Sequence, residues 1–322
     1  MSPAEPHARS GTPLATVVVP CKGHAKELSL CLASLTRQVT SFPYEVVVVD
    51  SASDEAVASV AAGFPEVRLV RTAVPLRAGP ARNLGVRLSA ADYVAFIDAD
   101  CQAEEAWLAT AVDALRGGPA MVGGPVLDAL PRHPVAVTDN LLQFADFRPG
   151  REDGPARYFP SCNMAVRRDA FEAVGGFPEV DLSAGEDTSL CNRFLRRWPE
   201  GLRFAQGMRV RHDGRTGLGE FFSHQSAFGH VRGSLGLHMT ERQRRWGARS
   251  VTLPAVVLKR LSYIAGRTLR FDPAGLPRLV ILLPLIVPGL TAWALGFRRG
   301  CRASAGAPEL EGAAARVDGV GA

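Results

Sequence analysis

Residues 92–101, DYVAFIDADC, contain a short and almost wholly apolar run, Tyr93–Ile97, followed at once by Asp98 and Asp100. A run of this length without polar alternation is typical of a strand that is buried on both faces, as in a parallel sheet. Three similar runs lie upstream, at Thr16–Val19, Val46–Val49 and Val67–Val70. The sequence therefore predicts four strands of one sheet.

Helical patterns alternate with these strands. After the first strand, the i, i+3, i+4, i+7 spacing of an amphipathic helix is followed by Leu28, Cys31, Leu32 and Leu35. Further helices are predicted at Ala56–Ala61, at Ala81–Leu88 and around Trp107–Leu115. We expect an α/β fold with a Rossmann-like, mostly parallel central sheet and helices on both faces, which binds ligands at the carboxyl ends of its strands.

Acidic side chains follow two of these strands. Asp50 comes directly after Val46–Val49, and Asp98 and Asp100 come directly after Tyr93–Ile97. If residues 98–100 are extended, both carboxylates point the same way and can share one hard cation, which in turn can bridge a diphosphate. Acidic residues also end strands as ordinary turn formers, so the position of the pair matters more than its spacing.

A basic loop, Leu76–Gly85, leads into the third predicted helix. Pro80 suits the first helical position, the backbone amides behind it are free, and the arginines of the loop suit an anionic ligand. The alternative is a loop that simply faces solvent.

Two further candidates lie beyond Pro125, where the regular alternation gives way to turn-rich α+β sequence. Glu186 and Asp187 precede a helical run, where the helix dipole favours acidic residues whatever their function. A carboxylate in that place can also act as a general base toward a hydroxyl. His212 ends an apolar-alternating segment and is either a metal ligand or an ordinary core or surface histidine.

In order and spacing these segments resemble the inverting family 2 glycosyltransferases of the GT-A fold, over about Thr16–Gly236. The resemblance rests on TVVVPCKG (16–23), VVVVDSASDE (46–55), GPARNLGV (79–86), DYVAFIDADC (92–101), SCNMAVRRDAFEAVGGF (161–177) and GEDTSLCNRF (185–194). Residues Gln243–Trp246 are one residue short of the Q-x-x-R-W motif of large processive members, so we assign them no acceptor role.

The resemblance implies a role for each matching residue. The nucleotide sugar would be bound by Pro20, Asp50, Ser51, Arg82, Asn83, Asp98 and Asp100, with Asp50 at the base and Asp98 at the ribose or a metal-bound water. A divalent metal, Mg²⁺ or Mn²⁺, would be bound by Asp100, Asp98 and His212. Asp187 would be the catalytic base with Glu186 beside it, and Asn163 and Met164 would lie on the acceptor side.

The implied reaction is transfer of a hexose-type sugar from a nucleoside-diphosphate donor to an acceptor hydroxyl, with inversion, on a carbohydrate or lipid-linked acceptor of a surface polysaccharide or glycolipid. One alternative is a sugar-phosphate nucleotidyltransferase, although such enzymes usually carry a Gly-rich loop where this chain has Pro20–His24. Another is a non-catalytic, membrane-attached sugar-binding module, which would not need Asp187. No nucleic-acid partner is expected, because the catalytic portion is net negative.

The positive charge is concentrated at the C-terminal end. Residues 241–322, here called the tail, contain 13 of the 37 Lys/Arg and 5 of the 32 Asp/Glu, so the tail carries +8 and the rest of the chain −3. Within the tail, Leu279–Phe297 is 19 residues without a formal charge, about the length that crosses a bilayer core of ~30 Å. Pro284, Pro288 and Trp293 are tolerated or enriched in membrane segments. We expect membrane association, as a span or as a re-entrant or interfacial hairpin with Val251–Leu258; the alternative is a buried helix of a soluble domain.

These patterns divide the chain into four parts. We expect a disordered N-terminus (1–13) and a GT-A-like domain (14–240) with nucleotide-binding (14–125) and acceptor (126–240) halves. Within the tail we expect a membrane-associated helical part (241–302) and a disordered end (303–322). Met1–Leu14 has no apolar stretch of signal-peptide length, so the expected location is the cytoplasmic face of the cell membrane, with the basic tail meeting anionic lipids. The six cysteines are scattered singly and indicate neither a zinc site nor a disulfide framework.

Overall fold

The computed structural model describes residues 12–179, 185–235 and 239–303. The predicted disordered ends fall outside this range except for residues 12, 13 and 303. The strands are β1 (Ala15–Cys21), β2 (Tyr44–Asp50), β3 (Val67–Arg71), β4 (Tyr93–Phe96), β5 (Cys101–Ala103), β6 (Met121–Gly123), β7 (Val126–Asp128), β8 (Gly154–Pro155), β9 (Met164–Arg167), β10 (Leu202–Phe204) and β11 (Val210–His212). The helices are α1 (Ala25–Leu35), α2 (Glu55–Ala62), α3 (Ala78–Arg87), α4 (Trp107–Arg116), α5 (Pro134–Gln143), α6 (Arg168–Ala173), α7 (Glu186–Arg197), α8 (Leu218–Leu235), α9 (Glu241–Gly247), α10 (Leu253–Phe271), α11 (Leu276–Ile281) and α12 (Leu283–Ala303).

Among the described residues, the larger sheet has eight strands in the order β3-β2-β1-β4-β9-β6-β10-β8. Strands β3, β2, β1 and β4 are mutually parallel, as the sequence predicts. Strand β9 is antiparallel to both β4 and β6. A smaller sheet, β5-β11-β7, lies beyond the Asp98–Asp100 turn and places His212 opposite Cys101 on one side and Asp128 on the other.

Both faces of the central strand β1 are covered. Val17, Val18 and Val19 have no exposed surface, although successive side chains of a strand point to opposite faces. Helix α3 lies directly on this strand, because a Cβ on Gly85 would come within 2.4 Å of a Val18 methyl group. The glycine lets α3, with its arginines, approach the strand closely.

Two local expectations are wrong. Helix α3 begins at Ala78, so Pro80 is its third residue rather than its first; it still lies in the first turn, where its missing N–H costs no helical bond. The DxD pair is not extended. Residues 98–101 form a turn in which the Cys101 N–H donates to the Asp98 carbonyl at 3.0 Å, so the two aspartates need not face one ligand.

The apolar stretch of the tail is not one straight helix. It is interrupted at Leu282, and the segments Pro273–Ile281 and Leu283–Ala303 meet at 82°. Among the described residues no single helix passes the length and hydropathy criteria of a membrane span, although this bent pair passes them jointly. Pro288 lies inside α12, and much of that helix is buried against the rest of the protein.

Helix α12 packs along α8 through glycines on both helices. A Cβ on Gly296 or Gly300 would lie 1.9 or 2.0 Å from a backbone oxygen of α8. A Cβ on Gly229 or Gly233 would lie 2.0 or 2.2 Å from a backbone oxygen of α12. The predicted division at residue 240 therefore separates two helices that are in backbone contact.

Arginines of the tail also bind acidic and carbonyl oxygens of the preceding residues, here called the body. Arg267 Nε lies 2.7 Å from Asp146 Oδ1, and Arg278 Nη1 lies 3.1 Å from Asp128 Oδ2. Arg260 donates from Nη2 to the Leu142 carbonyl at 3.1 Å. Part of the tail's positive charge thus faces the body.

Candidate active site

Arg82 joins the two acidic motifs. Its Nη2 lies 2.6 Å from Asp98 Oδ1, and its Nη1 lies 3.0 Å from Glu186 Oε1. The side chain is only 2% exposed and stands over the ring of Phe177. Burial acts to lower the pKa of the guanidinium, but the two carboxylates outweigh it and raise the pKa. Arg82 therefore stays charged and fixes the start of α7 beside the Asp98–Asp100 turn.

Asp187 lies one residue into α7 in a partly buried environment. Its Oδ2 accepts a hydrogen bond from the Tyr158 hydroxyl at 2.7 Å, and its Oδ1 accepts one from the Thr188 N–H at 2.6 Å. Burial and the charge of Glu186 raise the pKa of Asp187 to about 6, although these hydrogen bonds oppose the rise. Tyr158 remains a neutral donor, because burial raises its own pKa well above 10. A carboxylate with a raised pKa is suited to take a proton near neutral pH.

Asp100 and His212 face each other. His212 Nε2 lies 3.7 Å from Asp100 Oδ2, and the other ring nitrogen, Nδ1, lies 2.8 Å from Asn140 Oδ1. Together with Cys101, their ligand atoms lie within 4.8 Å of one another. Burial raises the pKa of the Cys101 thiol well above 9, which favours the neutral thiol.

The Asp100–His212 pair fits a divalent metal. Two ligands that are each about 2.1 Å from one ion can be at most about 4.2 Å apart, and the observed separation is 3.7 Å. Carboxylate oxygen and imidazole nitrogen both suit Mn²⁺, and a histidine that binds a metal usually makes a hydrogen bond through its other ring nitrogen, which orients the ring. Asp98, predicted as a third ligand, is instead bonded to Arg82.

Several residues that were predicted to bind the nucleotide instead make hydrogen bonds within the protein. The carboxylate of Asp50 is fully buried and already bonded to Arg71 Nε and the Ser53 N–H, both at 3.1 Å. Ser51 Oγ donates to the Leu76 carbonyl and accepts from its N–H, which fastens the loop before α3. Pro20 lies on β1 and is partly exposed.

Asn83 holds the segment that leads toward α7. Its Nδ2 donates to the Phe177 carbonyl at 3.0 Å, and its Oδ1 accepts from the Phe177 N–H at 3.0 Å. The same Nδ2 reaches Glu179 Oε1 at 2.7 Å. With these partners, Asn83 acts on the site by holding the chain before Glu186.

The acceptor-side assignment of Asn163 and Met164 does not fit their position. Both side chains are fully buried. Asn163 accepts from Trp107 Nε1 at 2.8 Å and donates to the carbonyls of Pro125 and Met208 at 2.9 Å. With no surface and no free polar atom, these residues hold the core together and have nothing left to offer a ligand.

Three residues that the sequence did not single out belong to the site. Tyr158 binds Asp187, Asn140 binds His212, and Asp213 donates its N–H to the Asp100 carbonyl at 2.9 Å. Burial and Asp100 raise the pKa of Asp213. Only Asp213, next to His212, had a signal in the sequence, since the other two meet their partners through the fold.

A cavity of about 460 Å³ lies elsewhere, among residues that include Ser34, Arg37, Glu104 and Arg211. None of the predicted site residues lines it. The arrangement of Asp100, His212 and Asp187 is therefore the better candidate for chemistry.

Comparison with known proteins identifies the family of the first half of the chain. The model of the family described as Glycosyl transferase family 2 matches residues 16–175, which end before Glu186. Glycosyltransferase AglE of Haloferax volcanii is 28% identical over 185 residues, which are 55% of this chain and 60% of AglE. The pre-mycofactocin glycosyltransferase of Mycobacterium tuberculosis is 29% identical over 227 residues, 66% of this chain and 46% of that protein. The chain thus spans about half the length of these relatives.

Solved structures share the fold. The mannosyltransferase PcManGT of Pyrobaculum calidifontis, solved with GDP-Man and Mn²⁺, has a TM-score of 0.51 at 20% identity, covering 93% of this chain and 77% of that one. GalNAc-T7, solved with UDP, GalNAc and Mn²⁺, has a TM-score of 0.50 at 14% identity over 63% of this chain and 44% of that one. The fold is that of the GT-A glycosyltransferases, as expected, and with the family match at residues 16–175 the chain belongs to glycosyl transferase family 2.

Proposed function

We propose that this protein is a metal-dependent, inverting glycosyltransferase that moves a hexose-type sugar from a nucleoside-diphosphate donor to an acceptor hydroxyl. The observation that carries the proposal is the Arg82 bridge between Asp98 and Glu186. It brings a carboxylate with a raised pKa, Asp187, next to the turn that bears the Asp100–His212 pair. Two proteins of the same fold, PcManGT and GalNAc-T7, were solved with Mn²⁺, which supports a divalent ion.

Asp187 is the base in this reaction. The acceptor oxygen forms a new bond to the anomeric carbon, the bond from that carbon to the diphosphate breaks, and the hydroxyl proton passes to the Asp187 carboxylate. Attack from the face opposite the diphosphate inverts the anomeric configuration. Tyr158 holds the carboxylate in place through its 2.7 Å hydrogen bond.

Asp100 and His212 would hold the divalent ion. When bound, such an ion supplies positive charge that stabilises the departing diphosphate. The Arg82 side chain is only 2% exposed and is bonded to both Asp98 and Glu186. Its role is therefore to orient the two acidic motifs and not only to bind the donor. Asp50 and Ser51 are buried beneath the proposed nucleotide site, and Ser51 also holds the loop before α3 through its bond to Leu76.

A donor screen with the full chain tests the reaction. UDP- and GDP-hexoses are supplied with Mn²⁺, and the released nucleotide and the anomeric configuration of the product are measured. We expect a nucleoside diphosphate and an inverted product. Release of pyrophosphate would instead indicate nucleotidyl transfer, and failure to turn over any donor would favour the non-catalytic binding module.

Variants assign the residues. Asp187→Asn should lower kcat by about 10²- to 10⁴-fold, the usual contribution of a general base. Asp100→Ala should weaken Mn²⁺-dependent turnover. The control is Asp113→Asn, an exposed carboxylate on α4 whose side chain is 70% exposed, and it should leave turnover unchanged. Undiminished transfer by Asp187→Asn would remove that residue from the mechanism.

We further propose that the protein acts at the cytoplasmic face of a membrane on a carbohydrate or lipid-linked acceptor, in surface polysaccharide or glycolipid synthesis. Support comes from apolar side chains that the tail exposes, which include Val251, Leu258, Leu269, Val280 and Ile281. Lys259 and Arg270 directly follow two of them. Apolar side chains beside basic ones are typical of helices that lie in the interface of anionic membranes.

A further inference from the structure

A line of buried polar side chains leads from His212 to the tail. His212 Nδ1 lies 2.8 Å from Asn140 Oδ1, and Asn140 Nδ2 donates to Asp128 Oδ1 at 3.2 Å. Asp128 Oδ2 in turn lies 3.1 Å from Nη1 of Arg278 on α11. His212, Asn140 and Asp128 are at most 9% exposed. Only Arg278, at the outer end, has a side chain that is 38% exposed.

The hydrogen bonds fix which nitrogen of His212 carries the proton. Asn140 Nδ2 faces two acceptors, the Asp128 carboxylate at 3.2 Å and the His212 carbonyl at 3.0 Å. Since only the NH₂ group of the amide can donate, Oδ1 must be the atom that faces His212 Nδ1. The neutral imidazole therefore donates from Nδ1 and turns the lone pair of Nε2 toward Asp100.

Arg278 holds the far end of this line. It binds Asp128 and also donates to the Pro131 carbonyl. Arg148 lies 4.0 Å from the same carboxylate and 3.1 Å from Asp272, which precedes α11. A carboxylate that is 7% exposed needs such a partner, because an unpaired charge in that place is costly.

We propose that Asn140 and Asp128 are positioning residues for the metal ligand His212, and that Arg278 makes α11 of the tail part of the support of that site. This inference rests on the proposed function, in which Asp100 and His212 bind a divalent ion. Each contact in this line joins one atom of a residue to one atom of the next residue. Removal of any member should loosen the orientation of the Nε2 lone pair.

Mn²⁺ affinity tests the inference without an activity assay. Free Mn²⁺ is measured by electron paramagnetic resonance during titration of the full chain, alone and with UDP or GDP. Asn140→Leu should weaken Mn²⁺ binding by about 10- to 100-fold, the usual effect of losing an outer-shell partner. Arg278→Gln should weaken it by a smaller factor, and Arg278→Lys should recover most of the loss because it restores the charge beside Asp128.

Arg267→Gln is the matched control. Arg267 also joins the tail to the body, at 2.7 Å from Asp146, but its partner is not bonded to the line that ends at His212. We expect wild-type Mn²⁺ affinity for this variant. If Arg267→Gln weakened Mn²⁺ binding as much as Arg278→Gln does, general docking of the tail on the body would be responsible. The proposed role of the line from Arg278 to His212 would then be overturned.

The outcomes separate this inference from the proposed function. If the wild type binds Mn²⁺ and Asn140→Leu and Arg278→Gln bind it equally well, the positioning role is wrong while the metal site stands. If the wild type binds no Mn²⁺ under any of these conditions, the metal-dependent function fails and the inference fails with it.

A second measurement, made first on the wild type, tests the inference even if a variant does not fold. Long-range ¹H–¹⁵N correlation spectra of the metal-free wild type distinguish the two neutral tautomers of His212, assigned with His212→Gln. We expect the proton on Nδ1, and in Arg278→Gln a mixture of tautomers. A proton on Nε2 in the wild type would overturn the inference.

Discussion

At Asp187, opposing contacts set the proton affinity of one carboxylate. Burial and Glu186 raise its pKa, and the hydrogen bond from Tyr158 lowers it. The balance leaves the pKa at about 6, above the ordinary value for an aspartate. Since the proposed base, Asp187, must be deprotonated, activity should be present above this pH and be lost as the pH falls through it.

Tyr158→Phe should move that acidic limb to higher pH. The change removes a hydrogen bond to the ionised form, so the carboxylate would hold its proton more tightly. The measurement is the pH dependence of kcat/KM for both proteins. Tyr263→Phe is the control, because its hydroxyl binds Asp146 at 2.5 Å instead, and its profile should match the wild type. An unmoved limb in Tyr158→Phe would show that a group other than Asp187 titrates.

Arg82→Ala should destabilise the fold much more than the loss of a surface ion pair. It leaves Asp98 and Glu186 without their cation, and Glu186 is only 13% exposed. Loss of one partner of a buried pair costs about 3 kcal/mol or more. The matched control is Arg87→Ala on the same helix: its pair with Glu179 is about 60% exposed on both sides and should contribute less than about 1 kcal/mol.

Urea unfolding of the two arginine variants gives the comparison. Equal losses of unfolding free energy would mean that the Arg82 bridge contributes no more to stability than an exposed pair. In that case its role would be confined to orienting the two acidic motifs.

At the scale of elements, the contact between α8 and α12 depends on missing side chains. Glycines on both helices allow backbone atoms to approach so closely that a methyl group would overlap a carbonyl oxygen. Close approach of this kind gives extensive van der Waals contact along both helices. Because Gly185, which precedes α7, lies against Leu235 at the end of α8, this helix pair also supports α7, the helix that bears Asp187.

Gly296→Ala should therefore destabilise the protein, although alanine is the better helix former. Its Cβ would lie 1.9 Å from the backbone carbonyl oxygen of Ser226, so the two helices must separate. We expect this to lower the free energy of unfolding by about 1–3 kcal/mol. Gly266→Ala in α10 is the control, because a Cβ there meets nothing within 4 Å, and it should stabilise by about 0.5–1 kcal/mol. Thermal unfolding measures both; a stabilising Gly296→Ala would contradict the close packing.

At the scale of the whole molecule, the positive charge of the tail serves two surfaces. Arg260, Arg267 and Arg278 bind the body, and Arg302 donates to the Ala248 carbonyl within the tail. Lys259 and Arg270 instead lie beside exposed leucines. Fewer basic side chains are thus available to the proposed membrane surface than the total tail charge of +8 suggests.

Replacement of Val280 and Ile281 by aspartate should reduce binding to vesicles of phosphatidylcholine with phosphatidylglycerol. These side chains are 61% and 75% exposed, and burial of each in a membrane contributes about 1.5–3 kcal/mol, so affinity should fall at least about tenfold. Flotation measures the bound fraction. Val39→Asp, an equally exposed valine of the body at 66%, should bind as the wild type does, and a similar loss there would argue against a specific tail surface.

The sequence by itself determined the elements of the first half and the places of the acidic motifs. Strands β1 to β4 and helices α1 to α4 follow from the period of apolar residues, which is a local property. The same pattern put Asp50 at the end of a strand and Asp98 and Asp100 after the end of another, where parallel sheets bind ligands. The family match covers this same part of the chain.

Only the tertiary structure decided which atoms these residues meet. In the turn at residues 98–101 the Asp98 side chain reaches Arg82 while Asp100 faces His212, although the two aspartates are nearly adjacent. Asn163 became a core residue and the apolar stretch of the tail bent at Leu282. Periodicity tells which face of an element is buried, but the direction of a side chain depends on turns and on partners from distant parts of the chain, and folding alone brings these together.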